Sequence, residues 1–283
     1  MIRHEQVASL DKDYINKKLE QFFIEDNIFD DITTISTQNK NNQTEAVFLA
    51  KEDLLFVGKQ IILQGFKKCV FKHAAEDGTY LKKGSQIAVL SGPIVEILKK
   101  ERVILNLIQR LSGIASTTQK LVKKTEKFGI QLLDTRKTTP GLRRFEKYAV
   151  FVGGGTNHRY SLKDSVMIKD NHLIGNSSFQ ESVDKAFAKN PNKDIQVEVD
   201  SSKQLREVLK TKATSILLDN FHPKSINQAI GMIKEKKKKI YIELSGGINM
   251  FNINSYCIDG VDGISMGALT HNIKSKDISL DLK

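Results

Sequence analysis

The chain has 283 residues, 40% of them hydrophobic, and a formal net charge of +11. That length fits one large domain or two ordinary ones, and no apolar run approaches the roughly 18 residues a membrane span needs. Its two cysteines, Cys69 and Cys257, lie far apart without CxxC spacing, which argues against a disulfide framework or zinc site and suits a reduced, cytoplasmic protein. The opening Met1-Ile2-Arg3-His4-Glu5 has no apolar segment of the secretory kind. The positive charge fits nucleic-acid binding, a lysine-rich solvated surface, or a site lined for anions. The densest run, Lys236 to Lys239, falls between a helical pattern and a strand, where a solvated turn is expected. No aromatic residues interleave with it, so the stacking platform of a single-strand binder is missing.

Residues 10–23 read as an amphipathic helix, with Tyr14, Ile15, Leu19 and Phe22 on one side. A strand is expected at 44–50, a helix at 57–69, and short strands around the turn signals of 77–84, continuing at 86–90. Pro93 fits the first turn of a long helix that ends near Ser112-Gly113, with a further helix at 115–127. Residues 1–112 therefore form a mixed N-terminal domain, and 272–283 are assigned to pack with it. Residues 113–271 form the catalytic domain. There the expected strands are 130–133, 165–168, 195–199, 215–218, 240–244 and 263–266, read as hydrophobic without alternation, like parallel strands buried on both faces. Helical patterns at 179–189, 202–210, 225–234 and 252–257 lie between them. Strand then helix, repeated, predicts an α/β barrel or an open doubly wound sheet.

The strand ends carry the chemistry. They read Asp134-Thr135-Arg136-Lys137, Lys169-Asp170, Glu198 with Asp200, Asp219-Asn220, Ser245-Gly246-Gly247, and Gly267 with His271. Barrel enzymes assemble their sites from that one end. Arg136, Arg159 and Lys169 either bind a substrate with two carboxylates or pair with Asp134, Asp164 and Asp170. Glu198 and Asp219, on consecutive strands and so expected side by side, suit Mg²⁺ held together with substrate phosphate oxygens, or else balance the cations. Ser245-Gly246-Gly247 and Gly267 with His271 are candidate phosphate cradles. The triplet Gly153-Gly154-Gly155 is expected to let the backbone turn close to a ligand. His158 is either a ligand group or a core histidine.

Three long motifs, Asp134 to Gly141, Gly153 to Arg159 and Met167 to His172, closely resemble quinolinate phosphoribosyltransferase (decarboxylating), the nicotinate-nucleotide pyrophosphorylase family. So do Glu101-Arg102, Gln109 to Ala115, Leu218 to Asn220, Ser245 to Ile248 and Gly267 to His271. The resemblance implies an N-terminal α/β sandwich-like domain and an open, irregular α/β barrel, the type II phosphoribosyltransferase architecture. It implies quinolinate and phosphoribosyl pyrophosphate as substrates, Mg²⁺ and no organic cofactor, and a homodimer, or higher assembly, with shared active sites. No nucleic acid or membrane is implied as a partner. Carried onto this sequence, Arg136, His158, Arg159 and Lys169 would hold quinolinate, and Lys137 would contact phosphoribosyl pyrophosphate. Glu198 and Asp219 would face the ribose and metal, with Lys137, Lys169, Glu198 and Asp219 as the catalytic set. Ser245, Gly246, Gly247, Gly267 and His271 would bind phosphate, and Arg102 would reach the partner subunit's site. Three positions depart from the family pattern, near Asp31, Leu54 and Val152, all outside the anion-binding set. The alternatives are a ModD-like paralogue of molybdenum transport clusters and a basic nucleic-acid-binding protein.

Overall fold

The computed structural model describes residues 4–236 and 239–283; Met1 to Arg3 and the middle of the expected Lys236 to Lys239 turn lie outside the described residues. In chain order the helices and strands are α1 (Lys12–Glu25), α2 (Ile32–Thr37), β1 (Gln43–Ala50), β2 (Leu54–Leu55), α3 (Lys59–Gly65), β3 (Val70–Ala74), β4 (Tyr80–Leu81), β5 (Gln86–Pro93) and α4 (Ile94–Thr125). Then follow β6 (Gln131–Leu133), α5 (Arg143–Val152), β7 (Val166–Ile168), α6 (Phe179–Lys189), β8 (Ile195–Val199), α7 (Ser202–Val208), β9 (Ser215–Asp219), α8 (Pro223–Lys234), β10 (Tyr241–Ser245), β11 (Gly263–Ser265), α9 (Ala268–His271) and β12 (Ile278–Leu282). The helix expected at 252–257 is a 3-10 turn, Ile253–Tyr256.

Two compact units emerge. One comprises Val7–Gln119, Arg144–Gly154 and Asn272–Lys283; the other comprises 4–6, Lys120–Arg143 and Gly155–His271. These limits differ from a cut at 112, because α4 runs on through Gly113 to Thr125 and α5 belongs with the first unit.

The first unit is built on an antiparallel sheet of order β12-β1-β5-β3. The last strand shows why residues 272–283 belong to it. Ile278 and Leu280 are buried, Ser279 and Asp281 alternate with them, and Phe48 pairs with Leu280. α4 buries Ile97, Ile104, Leu105, Ile108 and Leu111 at helical spacing. Its Ser112 and Ser116 hydroxyls accept from the backbone N–H groups of Val57 (3.1 Å) and Leu55 (2.9 Å). Those donors would otherwise be buried without partners.

One long helix replaces the two expected around Gly113, and packing gives the reason. A Cβ at Gly113 would stand 2.4 Å from the Lys274 carbonyl oxygen. This glycine allows a close backbone approach and does not end the helix. Gly113→Ala, which in an open helix gains about 1 kcal/mol, is therefore expected to destabilise this protein by about 1–3 kcal/mol. Thermal denaturation checks this, and a raised Tm would refute it.

At the start of α4, Glu96 pairs with Lys99 (2.6 Å), Lys100 (3.0 Å) and Lys68 (3.3 Å). Burial pushes the Glu96 carboxyl up, but hydrogen bonds and charge from Lys99 and Lys100 outweigh it and bring it to about 2. A depressed carboxyl contributes stability that is present above its unfolded value of about 4.3 and is lost as pH falls toward the folded one. Stability should thus decline between about pH 4.5 and pH 2, and less steeply in Glu96→Gln. Denaturant titrations across that range test it; equal slopes in the two proteins would contradict it.

The second unit holds a parallel sheet of order β6-β11-β10-β9-β8-β7. Strands β7 to β11 follow one another as neighbours, then β6 adds beside β11. Among the described residues β6 does not pair with β7, so the barrel is open. The chain after α5 runs along the free edge of β6: Thr156 N–H donates to Leu132 O (2.8 Å) and Asp134 N–H to Thr156 O (3.1 Å). The expected absence of alternation needs correcting. In β8, Gln196 and Glu198 alternate with buried Ile195, Val197 and Val199, and in β10, Tyr241, Glu243 and Ser245 alternate with Ile242 and Leu244. Those alternate residues form a polar layer. Gln196 donates to Ser215 (3.3 Å) and Glu243 (2.8 Å), and Tyr241 donates to Gln131 (2.9 Å). Side chains two residues apart share a face, so Glu198, Asp219, Ser245 and Gly267 continue that face to the strand ends.

Candidate active site

The C-terminal ends of these strands bring most of the expected residues into one unit. β6 delivers Asp134, Arg136 and Lys137. Asp134 is fully buried, and its carboxylate accepts from Asn157 Nδ2 (2.8 Å) and the His158 backbone N–H (2.8 Å). It thereby fastens the His158-Arg159 segment to the end of β6. Gln6 fastens the same segment from the other side, accepting from Asn157 N–H (2.7 Å) and donating to Asn157 O (3.1 Å). The His4 ring stacks on His158 with centroids 4.5 Å apart.

His158 is buried. Its Nδ1 accepts from the Arg159 backbone N–H (2.8 Å), and its Nε2 lies 3.2 Å from Gln196 Oε1 and 3.5 Å from Glu243 Oε1. Both ring nitrogens are thus engaged by the protein. The Arg159 guanidinium donates to Ser165 O (3.2 Å) and lies against Met167 Sδ (3.4 Å). Burial, and next the charge of Arg136, hold this guanidinium below its ordinary value, with Asp164 and Glu198 partly compensating. Arg136 Nε is buried without a hydrogen-bond partner among the described residues. Two guanidinium groups close enough to repel, one with a buried unmatched donor, form a site suited to an anion with more than one charge.

Lys169, at the end of β7, forms an ion pair with Glu198 of β8. Asp164 instead takes the Ser161 N–H (2.7 Å) and hydroxyl (3.0 Å), and Asp170 is exposed, accepting from Asn171 N–H (2.7 Å). Glu198 and Asp219 are not side by side, because Glu198 pairs in register with Leu217, two residues before Asp219. Among the described residues no group of three or more His, Cys, Asp or Glu could hold a metal ion. Two oxygen-only donors still fit a hard cation that arrives with phosphate oxygens, since Mg²⁺ takes one or two protein carboxylates.

The late loops are shaped by glycine. Gly246 has φ +94°, and a Cβ there would lie 2.2 Å from Asn220 Oδ1, while Asn220 itself has φ +55° and donates its N–H to Ser245 O (2.9 Å). At Gly267 a Cβ would stand 2.8 Å from Lys137 Cδ and 3.0 Å from the His271 ring. Lys137, Gly267 and His271 are therefore neighbours, and the Thr270 hydroxyl, donating to Lys137 O (2.7 Å), holds the two loops together.

Gly153 crowds α4, where a Cβ would meet Ala115 O and Thr118 at 2.7 Å, and Gly154 makes the turn at φ +84°. Arg102 lies in the other unit, exposed on α4, 4.0 Å from Glu101. Sequence reasoning missed His4, Gln6, Gln196 and Glu243. The strict alternation of β8 and β10 was the signal for the last two.

Clustered cations and glycine loops at the C-terminal ends of parallel strands define an anion-handling α/β-barrel enzyme. The family model described as quinolinate phosphoribosyl transferase, N-terminal domain, matches residues 31–112, and that for its C-terminal domain matches 114–281. A Bacillus subtilis relative, called "probable nicotinate-nucleotide pyrophosphorylase (carboxylating)", is 42% identical over 276 residues, 95% of this chain and 93% of its own length. One of the same name from Methanocaldococcus jannaschii is 41% identical over 282 residues, 96% and 98% of the two chains. The solved nicotinate-nucleotide pyrophosphorylase of Francisella tularensis superposes with a TM-score of 0.91 at 34% identity, covering 99% of this chain and 100% of that one. The chain belongs to the quinolinate phosphoribosyltransferase family, whose members are pentosyltransferases.

Proposed function

We propose that this protein transfers the phosphoribosyl group of phosphoribosyl pyrophosphate to quinolinate, releasing pyrophosphate and CO₂ and forming nicotinate mononucleotide for NAD synthesis. The observation that carries this reading is the close Arg136–Arg159 pair, with Lys169 delivered beside Glu198 on the neighbouring strand. Two carboxylates on adjacent ring carbons match such a cluster. Arg136, Arg159 and Lys169 hold them, and His158 lines the pyridine side behind Arg159. Ser245, Gly246, Gly247, Gly267 and His271 cradle phosphate, and Lys137 contacts the pyrophosphate.

As the bond from ribose C1 to pyrophosphate breaks, positive charge builds on that carbon. Glu198 and Asp219 face it, and the lysines balance the leaving group. Glu198 and Asp219 would also hold a Mg²⁺ ion carried in with phosphoribosyl pyrophosphate, which supplies further neutralisation of its phosphates. The quinolinate nitrogen bonds to C1, and the ring becomes a pyridinium. It accepts the electron pair left when the adjacent carboxylate departs as CO₂, and a solvent proton completes the ring carbon. No organic cofactor enters this balance.

The reading extends to a cytoplasmic homodimer in which the exposed Arg102 completes the partner's site. Mixing Arg102→Ala with Lys169→Ala protein tests that: sharing predicts regained activity in the mixed dimer, whereas two independent sites predict none. The reaction itself is tested by incubating the protein with quinolinate, phosphoribosyl pyrophosphate and Mg²⁺ and following nicotinate mononucleotide. Nicotinate in place of quinolinate should give no product. Absence of product from folded protein with quinolinate would overturn the proposal.

A further inference from the structure

A buried carboxylate that the mechanism leaves unused lies beneath this site. Glu243 is 1% exposed, and its Oε1 lies 3.5 Å from His158 Nε2. Burial pushes its carboxyl up, but His158 and hydrogen bonds from Ser265 and Gln196 outweigh that and keep it low.

An ionised carboxylate can only accept hydrogen bonds. Gln196 must therefore turn its amide NH₂ to Glu243 Oε2 (2.8 Å). That orientation aims Gln196 Oε1 at His158 Nε2 (3.2 Å), so Nε2 carries the hydrogen. Nδ1 is then bare and accepts the Arg159 N–H at 2.8 Å. Every link has one allowed direction. With the Gln196 amide reversed, two acceptors would oppose each other at Glu243. His158 would then carry its hydrogen on Nδ1, facing the Arg159 N–H donor to donor.

We propose that Glu243 is a positioning residue: through Gln196 it sets the His158 tautomer that anchors the Arg159 main chain and orients its guanidinium for the substrate carboxylate. This rests on the role given above to Arg159. The chain of bonds joins the polar layer of the barrel to the anion site, so a group that never touches substrate controls one that does.

The test uses the full chain with ¹⁵N-labelled histidine, and His158→Asn identifies the His158 signals. The wild-type ring should show the hydrogen on Nε2 and a bare Nδ1. A hydrogen on Nδ1, or rapid exchange between the two forms, overturns the proposal, and this measurement needs no variant of Glu243 to fold. Glu243→Gln can donate as well as accept, so it should give mixed tautomers. Its KM for quinolinate should rise roughly 10- to 100-fold, the scale of outer-shell partners of functional histidines, with KM for phosphoribosyl pyrophosphate unchanged. Adding Gln196→Glu places an acceptor-only group directly against Nε2 and should restore the tautomer and most of the KM. An unchanged quinolinate KM in Glu243→Gln, or a double variant no better than the single one, would also sink it. Tautomer and turnover are read separately, so failure here is distinguishable from failure of the proposed reaction in the wild-type protein.

Discussion

Arg136→Ala and Arg159→Ala should each weaken quinolinate binding by about 1.5–3 kcal/mol per charged hydrogen bond removed, which is roughly 10- to 150-fold in Kd. Isothermal titration of each variant measures this, and unchanged affinity in both would remove the basis for the site. The ligand-free proteins should behave differently from the usual loss of an arginine. Arg159 is held below its ordinary value first by burial and then by Arg136. Removing either guanidinium relieves repulsion on the other, so thermal stability without ligand should hold or rise slightly. The two losses of affinity should not add, because residues in one charge cluster couple. A conserved Tm together with lost affinity separates a binding role from a structural one.

Lys169→Ala should have the larger effect on turnover. Lys169 holds Glu198 by an ion pair at the ends of neighbouring strands β7 and β8. On the proposed reading, removing it takes a cation from the substrate carboxylates and leaves Glu198 without that partner beside the reacting carbon. Loss of one preorganised charged group aimed at a developing charge typically costs about 10²–10³ in kcat. A fall of that size in nicotinate mononucleotide formation is expected by steady-state kinetics, and a fall below tenfold would remove Lys169 from the catalytic set. Lys169→Arg should recover little, because a planar fork does not occupy the place of a compact ammonium.

The limits of sequence reading show at particular residues. Gly113 followed by a new apolar pattern read as a helix end, yet α4 continues because Gly113 packs against the Lys274 backbone, 161 positions further along the chain. Helix α5 was overlooked, and it carries Phe145, Ala149 and Val150 into the core. Asp134 binds Asn157 and the His158 N–H, partners that no local pattern names. The Glu198 and Asp219 pair read as neighbours, whereas the β8–β9 register offsets them by two residues. Each miss concerns a partner distant in sequence, which a local pattern cannot name.

The strands of the second unit, the cations and glycines at their ends and the family motifs were legible without coordinates. Strand runs, turn glycines and charged residues after apolar segments are local signals, and long motifs keep their spacing. Tertiary packing alone decided which donor meets which acceptor. It brought Arg136 within electrostatic reach of Arg159, put Lys169 on Glu198, closed His4 and Gln6 over the His158 segment, and set Glu243 beneath it. Those choices depend on strand order, register and burial, and burial turns each polar side chain into a group that must find a specific partner.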